Sequence, residues 1–247
     1  MTKWTVAAVL VVASAAGVAP VRGASAAIAV GAFSLARPGD ALPDGWAPMK
    51  FARIERQTRY SIVADEGTTV VKAEADASAS GLIRRVEVDP HAHPTLEWRW
   101  KVANLVERSD MAAKRGDDYA ARVYVAFKYE PARVSVWNRV KYALIRAIYG
   151  EYPPHAGINY VWATREPVGT ATWNAYTDRV RMIVVRSGAE HVGRWVSESR
   201  NVLDDYRAAF DEEPPPIAGV AIMTDGDDTG ERATAWYGDI RFAAPDR

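Results

Sequence analysis

The sequence contains no cysteine, which excludes disulfide bonds, thiolate nucleophiles and cysteine-ligated zinc or iron–sulfur centres. Histidine is nearly as scarce, with 4 among 247 residues. His91 and His93 form a His-x-His pair beside Pro90 and Pro94. No third ligand lies near them in sequence, so an exposed loop is a simpler reading than zinc. Net charge is also missing: 31 Lys and Arg residues offset 31 Asp and Glu residues. No global field therefore draws the chain to nucleic acid or to an anionic membrane. There is no internal repeat, no Gly/Ser-rich linker, and no G-x-S-x-G, P-loop or dinucleotide-binding glycine pattern. The common signatures of serine hydrolases, NTPases and nicotinamide enzymes are thus absent.

What is present begins with a targeting pattern. Lys3 gives a short positive region, Val6 to Val12 an apolar run continued by small residues to Ala19, and Ala24-Ser25-Ala26 an A-x-A cleavage site. Residues 1–26 therefore read as a secretory signal peptide, and 27–247 as one exported domain, periplasmic or secreted. The apolar stretch is too short and alanine-diluted for a membrane span, and no other run approaches that length, so no transmembrane span is expected in the mature chain. Removing residues 1–26 takes away Lys3 and Arg22 and no acid, leaving 29 basic and 31 acidic residues. The chain carries 9 Trp and 11 Tyr, residues that favour strands and also build binding platforms.

The dominant pattern is alternation with period two, the mark of half-buried strands. In Leu96–Val102, Leu96, Trp98, Trp100 and Val102 share one face and Glu97, Arg99 and Lys101 the other. Val70–Asp76 and Ala121–Lys128 repeat it, and Gly81–Val88, Tyr160–Ala163, Val180–Arg186, Arg194–Arg200, Ile217–Thr224 and Ala233–Phe242 are further candidates, with shorter strands near Phe51 and Tyr60. Two segments have helical period instead. Ser135–Tyr149 stops at Gly150 before Pro153-Pro154, and Val202–Phe210 is preceded by Asn201 as N-cap and closed by Pro214-Pro215-Pro216. The expected fold is all-β: an antiparallel two-sheet β-sandwich of jelly-roll type with two short helical insertions.

The strings LEWRWKV (Leu96–Val102), GDDYAARVYV (Gly116–Val125), INYVWA (Ile158–Ala163), WNAYTDRVRMIVVRSG (Trp173–Gly188) and GVAIMTDGDDTGERATAWYGDI (Gly219–Ile240) run through most of the mature chain. In these the sequence resembles the bacterial domain-of-unknown-function 3047 family. The resemblance implies a secreted or periplasmic protein of galactose-binding-like appearance. It carries over no activity and no catalytic residues.

Three constellations carry chemistry. The first is a polar strand face: Glu97, Arg99 and Lys101 on one strand, Arg122 and Tyr124 on another, preceded by Asp117 and Asp118, with Arg181 and the Arg194, Glu198, Arg200 set on others. If these strands pair, one sheet face presents guanidinium forks suited to an acidic sugar; otherwise they are a solvated face with cross-strand ion pairs. The second is an aromatic and amide cluster of Asn159, Tyr160, Trp162, Trp173, Asn174 and Tyr176, where rings would stack on a sugar and amides bond its hydroxyls. Trp162 reads more readily as core, and Trp173, Asn174 and Tyr176 as loop. The third is Asp225-Gly226-Asp227-Asp228-Thr229-Gly230-Glu231. Its alternate oxygens resemble the opening of a calcium loop, with Asp225, Asp227, Asp228 and Glu231 as ligands. The position where an EF-hand needs a bidentate Glu is Trp236, so an EF-hand is excluded and a simple hairpin calcium site or a plain turn remains.

The first functional expectation is therefore a non-catalytic module of the bacterial envelope that binds carbohydrate. The alternatives are a lyase or hydrolase acting on an acidic glycan, and a structural or protein-partner-binding envelope protein. No cofactor is firmly implied; calcium at the Asp225–Glu231 loop is the one candidate, with a plain turn as its alternative.

Overall fold

A computed structural model describes residues 26–130 and 156–245. Residues 1–25 of the expected signal segment and the helix expected at Ser135–Tyr149 lie outside those residues. Thirteen strands form two sheets among the described residues. They are β1 (Ile28–Gly31), β2 (Trp46–Met49), β3 (Arg59–Asp65), β4 (Thr68–Asp76), β5 (Ala79–Val88), β6 (Thr95–Val102), β7 (Arg122–Phe127), β8 (Gly157–Ala163), β9 (Ala171–Asn174), β10 (Thr177–Ser187), β11 (Val196–Asn201), β12 (Ile217–Asp225) and β13 (Arg232–Ala243).

A six-stranded sheet has the order β11-β6-β13-β4-β3, with β1 also paired to β13, and a seven-stranded sheet the order β2-β5-β12-β7-β8-β10-β9. Pairing is antiparallel except between β8 and β10, which run parallel, so the six-stranded sheet is wholly antiparallel as expected, while the seven-stranded sheet is mixed. The cause is local. After β8 the chain goes first to the sheet edge, forms β9, and turns back into the gap as β10, resuming the direction of β8. The alternation in the sequence fixes which side chains face inward. Trp98 and Trp100 of β6 meet Tyr160 and Trp162 of β8: Trp98 stacks on Tyr160 at 5.3 Å between centroids, and Trp100 lies 6.0 Å from Trp162. These four rings are buried at the centre of the core.

Alternation fails at β8, where all 7 residues are buried. Its second face lies under the connection between β6 and β7, so that Val161 and Ala163 pack with Met182, Val184, Met111 and Tyr119. A strand covered on both faces loses the polar half of its pattern.

The helix Val202–Phe210, here α1, forms as the sequence indicates. Asn201 Oδ1 accepts the Asp204 N–H at 3.1 Å, Asp204 and Asp205 occupy the first turn, and Asp211 ends the helix in the left-handed region. Tyr206 packs on Phe127 at 4.5 Å, while Asp205 accepts from the Tyr160 hydroxyl at 2.7 Å and from Arg200. Asn201→Ala is expected to cost about 1 kcal/mol through loss of the cap, a fall in Tm of about 2–4 °C by calorimetry. Among the described residues no helix is long and apolar enough to cross a membrane.

Candidate functional site

The outward face of the seven-stranded sheet carries a cleft of about 670 Å³. Its floor comes from neighbouring strands: Ala79 of β5, Met223 and Asp225 of β12, Arg122 and Tyr124 of β7, and Val180 of β10. The register explains the row, since Ala79 pairs with Asp225, Met223 with Arg122 and Ala221 with Tyr124. Its walls are connections: Lys50–Ile54 after β2, Asp117 before β7, Asn174 and Tyr176 at the β9–β10 turn, and Asp227 and Asp228 after β12.

Arg122 organises the floor. It is 1% exposed, and alternation sends it to the outward face, where the β6–β7 connection covers it. Its Nε donates to Asp225 Oδ1 and its Nη1 to Asp117 Oδ1, both at 3.0 Å, and Nη1 also reaches the Tyr124 hydroxyl at 3.1 Å. Nη2 donates to Asp225 Oδ2 and to the Asp117 carbonyl. Asp117 Oδ2 in turn accepts from Asn174 Nδ2 at 2.7 Å, and Asp225 Oδ1 from the Tyr119 N–H at 2.9 Å. Burial opposes the Arg122 charge, but the carboxylates of Asp225 and then Asp117 outweigh it and hold its pKa above the ordinary value. Burial raises the Tyr124 phenol well out of its ordinary range, so it stays a neutral hydroxyl.

Tyr176 stands at the rim, 54% exposed. Its hydroxyl lies 2.9 and 3.0 Å from the two oxygens of Asp228, and Lys114 Nζ sits 5.2 Å above its ring. Asp227 and Asp228 share this end with Asp118. Partial burial, then the neighbouring Asp118 and Asp228 carboxylates, push the Asp227 carboxyl up to about 6. Burial and the same crowding raise Asp228 as well. The loop holding them is tight: Gly226 N–H donates to the Ser78 carbonyl, and a Cβ at Gly226 would sit 2.3 Å from the Glu231 carbonyl oxygen, so only glycine fits.

The structure gathers Asp117, Arg122, Tyr124, Asn174, Tyr176, Asp225, Asp227 and Asp228 of the sequence candidates into one cleft, sets Asp118 beside Asp227 and Asp228 at its end, and separates the rest. Glu97 and Arg99 lie on β6 in the other sheet, where Glu97 pairs with Arg241 and Arg99 lies 4.6 Å over the Trp195 ring. The arginine-rich face is therefore not one site, because β6 and β7 do not pair. Glu198 and Arg200 belong to β11, bound to Arg186 and Asp205. Trp162 and Tyr160 are core, as is favoured for Trp162 from sequence. Asn159 pairs in register with Tyr124 but is fully buried, and neither amide atom has a hydrogen-bond partner among the described residues. Trp173 belongs to β9, packs 5.5 Å from Phe210 and under Arg181, and does not line the cleft.

Two of the four calcium ligands expected from the loop are occupied elsewhere. Asp225 is committed to Arg122. Glu231 accepts from the Glu107 and Arg108 N–H groups at 2.9 Å each and from Arg108 Nε at 3.0 Å. Partial burial would raise Glu231, but these bonds hold it below the ordinary carboxylate range. Lys50, Phe51 and Arg53 are lining residues that sequence reading missed as a site. Phe51 stood out only as a strand candidate, whereas it follows β2 in a connection.

The family described as "Protein of unknown function (DUF3047)" matches residues 44–241. Among solved structures, one titled "CBM4 structure and function" is 13% identical, covering 82% of this chain and 96% of its own, with a TM-score of 0.34. Another, "Cellulose induced protein, Cip1", is 13% identical, covering 81% of this chain and 91% of its own, with a TM-score of 0.31. No curated protein matches.

Proposed function

The chain belongs to the DUF3047 family, whose description assigns no activity, and we propose that it is an exported single-domain module whose cleft binds a neutral, hydroxyl-rich saccharide. One observation carries the reading: a preformed cleft of about 670 Å³ sets a half-exposed tyrosine against an amide, a neutral buried phenol and carboxylates. That volume suits a small ligand. A phenol ring packs on the C–H face of a sugar, while carboxylates and amides take its hydroxyls. An acidic glycan fits less well. Arg122 spends its guanidinium on Asp225, Asp117 and Tyr124, and so has no fork to offer a uronate. The exposed Asp228 beside Tyr176 would repel one, while the exposed Lys50 and Arg53 stand in the opposite sense in the wall after β2.

Calorimetric titration with neutral gluco-, xylo- and manno-oligosaccharides, with oligogalacturonate as acidic comparator, tests this. Saturable binding to a neutral series is expected. Tyr176→Ala should weaken it at least about tenfold, near 1.4 kcal/mol, whereas Trp173→Ala, outside the cleft, should leave it within about twofold. No binding to any neutral series, or binding indifferent to Tyr176→Ala, would overturn the reading.

A further inference from the structure

We propose that Asp118, Asp227 and Asp228 form a binding site for a divalent cation of the calcium type, joining the β6–β7 connection to the β12–β13 loop at the end of the cleft. One oxygen from each lies within 4.8 Å of the others, about the span across a calcium ion ligated at about 2.3–2.6 Å. Among the described residues no Lys, Arg or His forms an ion pair with any of the three. Three carboxylates held so close without a cation repel one another.

A second observation is independent of that spacing. Asp118 is fully buried; its Oδ2 accepts the Thr229 N–H at 2.6 Å, but its Oδ1 has no hydrogen-bond partner among the described residues. The hydroxyl of Thr229, itself only 7% exposed, has none either. Buried oxygens left unbonded are costly, and a hard cation satisfies them. The donors are all oxygen, which selects a hard ion, and they come from two loops, which suits the flexible coordination of calcium better than the near-ideal octahedron of magnesium. Waters would complete the shell. The ion would also fix Asp228, and with it the Tyr176 hydroxyl.

The test uses the metal alone, with no saccharide, so its failure leaves the cleft reading standing and the reverse also holds. Chelator-treated protein is melted with increasing calcium chloride. At a hundred times the dissociation constant Tm should rise by about 5–11 °C. The half-exposed Asp227→Asn, which leaves the buried Asp118 intact, should lose that gain. Terbium should bind the wild type, show luminescence sensitised through Tyr176, and be displaced by calcium. Magnesium should need at least about ten times the concentration for the same shift; an equal response would overturn the calcium assignment. Absence of both the Tm gain and the terbium signal, or a calcium gain undiminished in Asp227→Asn and Asp228→Asn alike, would overturn the site.

Discussion

Arg122→Ala is expected to be the most damaging single substitution on the outward face, costing about 3–5 kcal/mol and lowering Tm by roughly 6–20 °C. The size follows from what is left behind. Asp225 and Asp117 are 2% and 8% exposed, and removal of the guanidinium strands both carboxylates away from water. Burial already raises the Asp225 carboxyl, and the Arg122 charge and the Tyr119 N–H pull it back; without Arg122 the Tyr119 hydrogen bond is left to do so by itself. The Asp117 carbonyl and the Tyr124 hydroxyl lose a donor as well. A double-mutant cycle separates pairing from packing. Arg122→Met with Asp225→Leu should recover the part of the loss that belongs to Asp225, which is then no longer left charged and alone, while Asp117 still lacks its cation. An Arg122→Ala protein melting within about 2 °C of wild type would show that the network contributes little.

Trp100→Ala should rank beside it, at about 3–5 kcal/mol. Trp100 is 0% exposed, meets Trp98 edge-on at 5.4 Å and Trp162 at 6.0 Å, and donates its Nε1 to Glu198 at 3.2 Å. The substitution opens a hole between the sheets that rings anchored on opposite strands cannot close. Urea denaturation should show a lower midpoint with an unchanged slope. A loss below about 1 kcal/mol would mean that the aromatic centre repacks freely. The contrast is Trp173, equally large but 38% exposed on the short β9.

These two residues also mark where the sequence was legible. Trp100 sits in a clean alternation, and its inward direction was readable from Leu96–Val102 alone. Arg122 sits in an equally clean alternation, which correctly sent it to the outward face. Its burial was not readable, because the segment that covers it is brought there by the whole fold. Sheet membership was hidden for the same reason: period two says that Glu97 and Arg122 each point away from an apolar face, not that both point from one sheet. Strands β1 and β9 are 4 residues each, too short for a pattern to show. In the Asp225–Glu231 loop the spacing suggested ligands, yet Asp225 still belongs to β12 and turns to Arg122, and Glu231 turns to the β6–β7 connection. The third carboxylate near Asp227 and Asp228 is Asp118, more than a hundred residues earlier, and no local motif could have named it.

The strand order has a consequence for the sequence of events in folding. β12 lies between β5 and β7 in one sheet, and β13 between β4 and β6 in the other. Both are therefore interior strands, and both follow residue 216. A chain emerging from the ribosome N-terminus first can form hairpins such as β3–β4, but neither sheet can close until residues 217–243 are free. For most of its synthesis the protein carries apolar strands with open edges, the condition that favours wrong pairing. Native pairing then bridges long sequence separations, which makes folding slow, in the range of milliseconds to seconds. Such a chain stays unfolded, and open to a holding chaperone, until roughly its final eighth has been made.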